Sequence, residues 1–212
     1  MSTHNAKDLF DFVVKQVIEV GNRTGVPPFG AFPRWFANMY YTKPEGIFTS
    51  DGAGDGKVDF FFHTVDGNKL THHVINSKFT ETYNQTAPVN FYDEVLSFYH
   101  LFNHPQGRGQ FLQQKVREEL RPFYKKLFEA YDAGNAKLLF LTNCRTNPGQ
   151  LARVEQLDVQ TFHLEDLIQN VLDDLDGAMP RTPDLLLPEI SMTLSPPPEE
   201  AGVATTIVFA RL

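Results

Sequence analysis

The chain has 212 residues, 42% hydrophobic and 21% charged, which is the composition of an ordinary globular domain. The net charge of −7 argues against a protein that coats nucleic acid by bulk attraction, and no apolar run reaches the roughly 18 residues of a membrane span. The single cysteine, Cys144, excludes an internal disulfide and favours a reducing compartment. We therefore expect a cytoplasmic protein without membrane contact.

The acidic charge belongs mainly to the C-terminal part of the chain. Residues 31–126 carry eleven basic and ten acidic groups, whereas residues 127–212 carry five basic and thirteen acidic groups. The middle of the chain is thus nearly neutral and leaves room for a local basic track.

The apolar pattern predicts elements along most of the chain. A helix over residues 6–20 precedes a proline-rich, irregular stretch over 23–45, in which 35–41 are suited to a short helix. Two strand-like runs flank a strong hairpin signal at Asp66-Gly67-Asn68. The predicted strands cover residues 46–50, 57–65, 70–79, 137–142 and 157–162, and the later helices cover 90–102, 111–131 (kinked or divided at Pro122), 148–155 and 163–175. This order predicts an α/β fold with a mixed β-sheet core flanked by helices.

The composition also suggests where the domain ends. We predict one domain over residues 1–176, a linker rich in proline and acid over 177–202, and the start of a following strand or domain over 203–212. The last segment has apolar alternation and no local partner, so we expect it to pair with another strand edge. That edge belongs either to this chain or to a neighbour, which includes the option of a homodimer.

Asp59, Asn76 and Lys78 are the candidate chemical groups of the hairpin. Side chains alternate along strands, so Asn76 and Lys78 share one face of the second strand. A two-residue turn at Asp66-Gly67 or a four-residue loop places Asp59 on that same face, whereas a three-residue loop places it on the other. The sequence leaves these registers open.

This grouping suits phosphodiester hydrolysis. A carboxylate and a second oxygen ligand, here Asp59 and Asn76, suit Mg²⁺, which prefers oxygen and keeps several waters. Such a metal polarises a phosphate and lowers the pKa of a bound water. Lys78, two residues beyond the second ligand, is placed to orient that water or to stabilise developing negative charge.

The glycine-rich approach and the hairpin resemble a known enzyme superfamily. The pattern GDGxxD, a hairpin, a hydrophobic pair and then x-S-K-aromatic, over residues 51–79, resembles the PD-(D/E)xK nucleases, especially their Mrr-like branch. The wider chain is similar to the N-terminal part of AIPR proteins, the abortive-infection phage-resistance family. The resemblance implies a restriction-endonuclease-like fold and a Mg²⁺- or Mn²⁺-dependent nuclease in bacterial phage defence. Its expected substrate is DNA, although the residues themselves leave DNA and RNA open. Carried over by position, Asp59 and Asn76 are the metal ligands and Lys78 is the catalytic lysine.

Asn76 departs from the superfamily pattern, in which the second ligand is Glu, Asp or, in the Mrr-like branch, often Gln. The Asn76 amide oxygen can coordinate Mg²⁺, but a neutral amide binds a dication less strongly than a carboxylate does, so both metal affinity and activity depend on this substitution. Three accessory carboxylates are candidates: Glu19, Asp55 and Glu81. The alternative hypothesis is a decayed nuclease fold that binds nucleic acid or a protein partner without cutting.

Overall fold

The structure is a computed structural model that describes residues 6–49, 56–175, 191–193 and 206–208. The helices are α1 (Ala6–Thr24), α2 (Pro28–Tyr40), α3 (Val89–Asn103), α4 (Arg108–Gln114), α5 (Arg121–Asp132), α6 (Pro148–Val154) and α7 (Leu164–Leu175). The strands are β1 (Glu45–Phe48), β2 (Phe60–Asp66), β3 (Lys69–Lys78), β4 (Ala136–Thr142), β5 (Val159–Phe162), β6 (Ser191–Thr193) and β7 (Thr206–Val208). Within these ranges, no helix combines the length and apolar character needed to cross a bilayer.

Five strands form one mixed sheet in the order β1-β2-β3-β4-β5. Strands β1, β2 and β3 are antiparallel neighbours, whereas β4 pairs parallel to β3 and β5 pairs parallel to β4. The chain crosses from β3 to β4 through α3, α4 and α5, and from β4 to β5 through α6. The predicted α/β fold, a mixed sheet flanked by helices, is confirmed.

Two hydrophobic clusters lie on opposite faces of the sheet. One joins Val74 and Phe140 to α3, α4 and α5, and the other joins Ile75 and Leu139 to α1, α2 and α7. Both faces of β4 are buried, which is why its sequence is continuously apolar rather than alternating. The sheet is thus exposed only along its edges and at its strand ends.

The β2–β3 hairpin has a defined register. Val65 lies opposite Leu70, so Gly67 and Asn68 form the turn. Gly67 adopts a φ of 59°, a left-handed conformation that glycine tolerates without strain. Counted from Phe60 opposite Ile75, this register puts Asp59 opposite Asn76, the pairing expected for the four-residue loop.

One helical prediction needs correction, and of the two alternatives for residues 111–131 the divided helix is found. Residues 23–45 are not mainly irregular, because α2 spans Pro28–Tyr40. Proline fits the first turn of a helix, where its missing N–H would have no partner. Pro33 lies inside the helix, and its cost is offset by burial of the neighbouring aromatic side chains. The predicted helix over 111–131 is divided into α4 and α5, with Pro122 in the first turn of α5.

The C-terminal part of the chain contains one described strand pair. Strand β7 pairs antiparallel with β6, which lies within the predicted linker. The rest of residues 176–212 lies outside the described residues. The boundaries at 176 and 202, and the option of a homodimer, therefore stay predictions.

His73 should make the stability of the fold depend on pH. It is 2% exposed, stacks on Phe62 and shares a hydrogen bond with Thr64. Burial, helped by the charges of Lys137 and His72, lowers the pKa of His73 from 6.5 to about 4. Between these values the unfolded chain binds the proton and the folded protein does not. The free energy of unfolding should therefore fall as pH drops from 6.5 to 4, by up to about 3 kcal/mol for this residue.

The measurement is urea unfolding across that pH range for the wild type and for His73→Phe, which keeps the aromatic stack. We expect the variant to show a flatter dependence, although His72 and His163, whose pKa values burial also lowers, keep part of the slope. His100→Asn, at an exposed position, is the control and should follow the wild type. An unchanged slope in His73→Phe would contradict the assignment.

Candidate active site

The predicted site residues lie where β3 ends and β2 begins. Strands β3, β4 and β5 run parallel, so their carboxyl ends meet at one edge of the sheet. In open α/β sheets this edge is where ligands commonly bind. Asp59, immediately before β2, and Asn76 and Lys78, near the end of β3, all lie at this edge.

Asp59 is tied to β3 through both its backbone and its side chain. Its N–H donates to the carbonyl of Ile75 at 3.1 Å, and its Oδ2 accepts the N–H of Ser77 at 2.6 Å. The Asp59 carboxylate therefore extends the hydrogen bonding between β2 and β3 beyond Phe60 and Ile75, the regular pair nearest this end of the hairpin. A hydrogen bond to a charged group contributes about 1.5–3 kcal/mol, so Asp59 is a structural residue as well as a candidate ligand.

Asn76 is 2% exposed, and its amide has a defined orientation. Its Nδ2 donates to the carbonyl oxygen of Lys57, and the flipped amide would set two oxygens against each other. The Oδ1 atom is buried and has no hydrogen-bond partner among the described residues. A buried acceptor without a partner costs about 1–3 kcal/mol, so this oxygen is suited to a bound cation or water.

Lys78 is exposed at the end of β3. Its carbonyl accepts a hydrogen bond from the Thr142 hydroxyl at 2.8 Å, which fixes the backbone, and its ammonium forms no ion pair with a described residue. Burial raises the pKa of the Cys144 thiol, and the positive charge of Lys78 partly offsets this rise. Cys144 is thus a buried, protonated thiol rather than a nucleophile.

Tyr99 lies beneath the site, and sequence analysis missed it. Its buried hydroxyl donates to the carbonyl of Leu139 in β4. Burial raises the pKa of Tyr99 well above its usual value, and the nearby charge of Asp59 raises it further. Tyr99 is one of several aromatic residues along α3, and only the packing of α3 on the sheet brings this hydroxyl near the strand ends.

A cleft of about 210 Å³ opens beside Asp59 on the α2 side of the sheet. Its polar lining consists of Asp59, Ser77, Thr49 and Arg34. Asn76 and Lys78 are not among the described residues that line it. Although the backbone register sets Asp59 opposite Asn76, the Asp59 side chain lines this cleft together with Ser77. Asn76 alternates with Ser77 along β3 and lies on the side of Val74 and α3. Shared metal binding by Asp59 and Asn76 therefore stays a prediction.

The accessory carboxylates have different positions. Glu19 is exposed on α1, where its carboxylate meets Gln16 at 3.5 Å, and Glu81 is exposed in the turn after β3. Asp55 lies outside the described residues. Within the described part of the chain, no three His, Cys, Asp or Glu side chains gather as they would around a metal ion.

The chain has structural neighbours among solved proteins but no match to a known sequence family. No protein-family profile matches the chain, and no curated protein matches it, so the AIPR resemblance stays a prediction. The chain is similar to the FokI restriction endonuclease bound to DNA, with a TM-score of 0.44 and 13% identity over 82% of this chain and 28% of that one. A second FokI structure gives 0.43 and 14% over the same shares.

Both neighbours are structures of one restriction endonuclease, FokI. The chain spans less than a third of FokI's length. TM-scores of this size carry no information about the chemistry of this chain.

Asn76→Asp should reveal whether the buried oxygen belongs to a cation site. The substitution replaces the Nδ2 donor by an oxygen that faces the Lys57 carbonyl, so the metal-free variant should lose about 1–3 kcal/mol of stability. A divalent cation should restore more stability to this variant than it adds to the wild type, because a carboxylate binds it more strongly. Thermal unfolding with and without Mn²⁺ measures both effects.

Asn143→Asp is the matched control. Asn143 is also buried, but its Nδ2 donates to the Thr80 carbonyl and its Oδ1 accepts the Thr80 N–H, so its amide is fully paired. We expect a similar loss of stability without extra recovery in Mn²⁺. Equal Mn²⁺ responses in both variants would exclude a cation site at Asn76.

Proposed function

We propose that this chain is a metal-dependent nuclease domain that hydrolyses phosphodiester bonds in nucleic acid, with DNA as substrate. Asp59 and Asn76 would hold a Mg²⁺ or Mn²⁺ ion, and Lys78 would act on the phosphate. The observation that carries the proposal is the Asn76 amide, whose nitrogen is committed to Lys57 and whose buried oxygen has no described partner.

The donor set fits a hard cation. A carboxylate and an amide oxygen are ligands that Mg²⁺ accepts, with waters completing its coordination. When bound, such a cation polarises a phosphate and lowers the pKa of a bound water. A third carboxylate would strengthen binding, and the accessory candidates remain Asp55, Glu81 and Glu19.

The chain's own residues have separate tasks in this proposal. Lys78 has no described ion-pair partner and is exposed, so its charge is available to a phosphate oxygen as negative charge develops. The Ser77 N–H holds the Asp59 carboxylate in place, which limits the reorganisation needed when substrate binds. Tyr99 stays a neutral phenol because burial raises its pKa.

The biological setting we propose is defence against phage in the bacterial cytoplasm. It rests on the AIPR resemblance of residues 51–79 and on the nuclease chemistry proposed for the hairpin. A nuclease that acts on invading DNA needs access to the cytoplasm, where a single buried cysteine stays reduced.

A second candidate function has an observation of its own. Asn76 is neutral, and its Nδ2 donates a hydrogen bond to the Lys57 carbonyl. The Asp59 carboxylate likewise accepts a hydrogen bond from the Ser77 N–H, so both side chains stabilise the hairpin. These features suit a decayed nuclease that keeps the fold and binds nucleic acid or a protein partner without cutting. Metal-dependent cleavage separates the two functions.

Lys78→Ala and Asp59→Asn should each abolish cleavage, or reduce it by about 10²–10³-fold, since each removes charge from the reacting centre. Asp59→Asn is preferable to alanine because its amide oxygen still accepts the Ser77 N–H and preserves the hairpin. The assay follows plasmid DNA and labelled single strands with Mg²⁺, Mn²⁺ or EDTA. Lys69→Ala is the control, because Lys69 is an exposed lysine at the other end of β3.

The expected result is wild-type cleavage that stops in EDTA, full activity in Lys69→Ala and loss in the two site variants with unchanged circular dichroism. Cleavage that survives in Lys78→Ala and Asp59→Asn would place the reacting centre elsewhere. Absence of cleavage by the wild type with every metal and substrate would favour the binding function.

A further inference from the structure

The cleft on the α2 side of Asp59 has an apolar wall and a polar wall. Val26, Pro27, Phe29 and Pro33 form the apolar wall, at the junction of α1 and α2. The polar wall consists of Arg34 on α2, Ser77 on β3, Thr49 just after β1 and Asp59 just before β2. The cleft adjoins the proposed reacting centre, because Asp59 is common to both.

Phe29 is the most exposed large hydrophobic side chain of α2. It is 55% exposed at the mouth of the cleft, although the neighbouring aromatic residues of α2 are buried. Its position in the first turn leaves the ring outside the core that Phe32 and Phe36 complete. An exposed aromatic ring beside a polar cleft is suited to stack on a flat ligand.

Arg34 supplies a cation to the same cleft. Its Nε is buried and lacks a hydrogen-bond partner, and its guanidinium forms no ion pair with any residue in the described ranges. A guanidinium matches a phosphate through a planar fork of donors. The start of α2 has no acidic residue in its first turn, so the positive end of the helix adds to the attraction for an anion.

We propose that this cleft holds one unpaired nucleotide of a single-stranded nucleic acid, with its base stacked on Phe29 and its phosphate bound by Arg34. This inference rests on the proposed function and specifies its substrate as an unpaired strand end or a locally opened duplex. A paired base would keep its face within the stack and could not reach Phe29. The phosphate of the bound nucleotide would then lead the strand toward Asp59.

Asp59 gives this proposal an electrostatic signature. Its carboxylate lines the cleft and repels a phosphate when no metal is present. Asp59→Asn should therefore raise the affinity for a single strand in EDTA by a few-fold, while it abolishes cleavage in Mg²⁺. A residue with a purely structural role would not show these opposite effects.

The test is fluorescence anisotropy in EDTA with the full chain, a labelled oligothymidylate of about twelve nucleotides, and a blunt duplex of the same length. Phe29→Ala should weaken single-strand binding about tenfold and leave duplex binding unchanged. Arg34→Gln should weaken binding and lower the slope of log affinity against log salt by about 0.7. Arg34→Lys keeps the positive charge and should retain the wild-type slope. This variant therefore separates the loss of charge in Arg34→Gln from a loss of folding.

The controls are matched to each variant. Met39→Ala removes another exposed hydrophobic side chain from α2, at its far end, and Lys15→Gln removes an exposed charge from α1. Both should bind as the wild type does. Free thymidine monophosphate serves as a competitor, and displacement of the strand by equimolar nucleotide would mean a mononucleotide site and overturn the proposal.

Other outcomes are equally decisive. An equal loss for strand and duplex, or a Phe29→Ala variant that behaves like Met39→Ala, would overturn the unpaired-nucleotide assignment. Cleavage that continues in such a case would leave the nuclease proposal standing. Strand binding that depends on Phe29 and Arg34 in a protein that never cuts would keep this inference and reject the nuclease.

Discussion

Two polar contacts at the open end of the β2–β3 hairpin hold the register on which the rest of the sheet depends. Three successive phenylalanines of β2 are buried, so both faces of the hairpin are apolar and hydrophobic alternation alone does not select one register. The Asp59 carboxylate on the Ser77 N–H and the Asn76 amide on the Lys57 carbonyl would both be lost by a slip of one residue. The parallel strand β4 pairs with β3, so its position in the sheet depends on the same alignment.

The same contacts prepare the candidate site, so stability and function are coupled there. One carboxylate oxygen of Asp59 accepts a hydrogen bond from the backbone of β3. The Oδ1 atom of Asn76 is buried and has no hydrogen-bond partner among the described residues. The second feature costs free energy in the metal-free protein, and such costs are commonly retained at functional sites. A bound cation would compensate both the unpaired oxygen and the negative charge of Asp59. Metal binding should therefore stabilise the hairpin as well as support chemistry.

Electrostatics also explains how a chain with a negative net charge would bind a polyanion. The charge that matters is local, because counter-ions screen exposed charges beyond roughly 8–10 Å. Lys78 at the end of β3 and Arg34 on α2 are cations without described ion-pair partners, on the two sides of Asp59. Affinity should then come from a few positioned cations and one aromatic ring rather than from bulk attraction.

The sequence by itself determined the α/β fold, the hairpin at Gly67 and most of the strands, because period-two and period-3.6 apolar patterns and glycine chemistry act locally. It also indicated Asp59, Asn76 and Lys78 as the candidate site residues. Only the tertiary structure decided the hairpin register, the extent of α2 through its prolines, and the contacts of Arg34, Phe29 and Tyr99. These features depend on which helix packs on which face of the sheet. Such packing is set by contacts between residues distant in sequence, which no local pattern encodes.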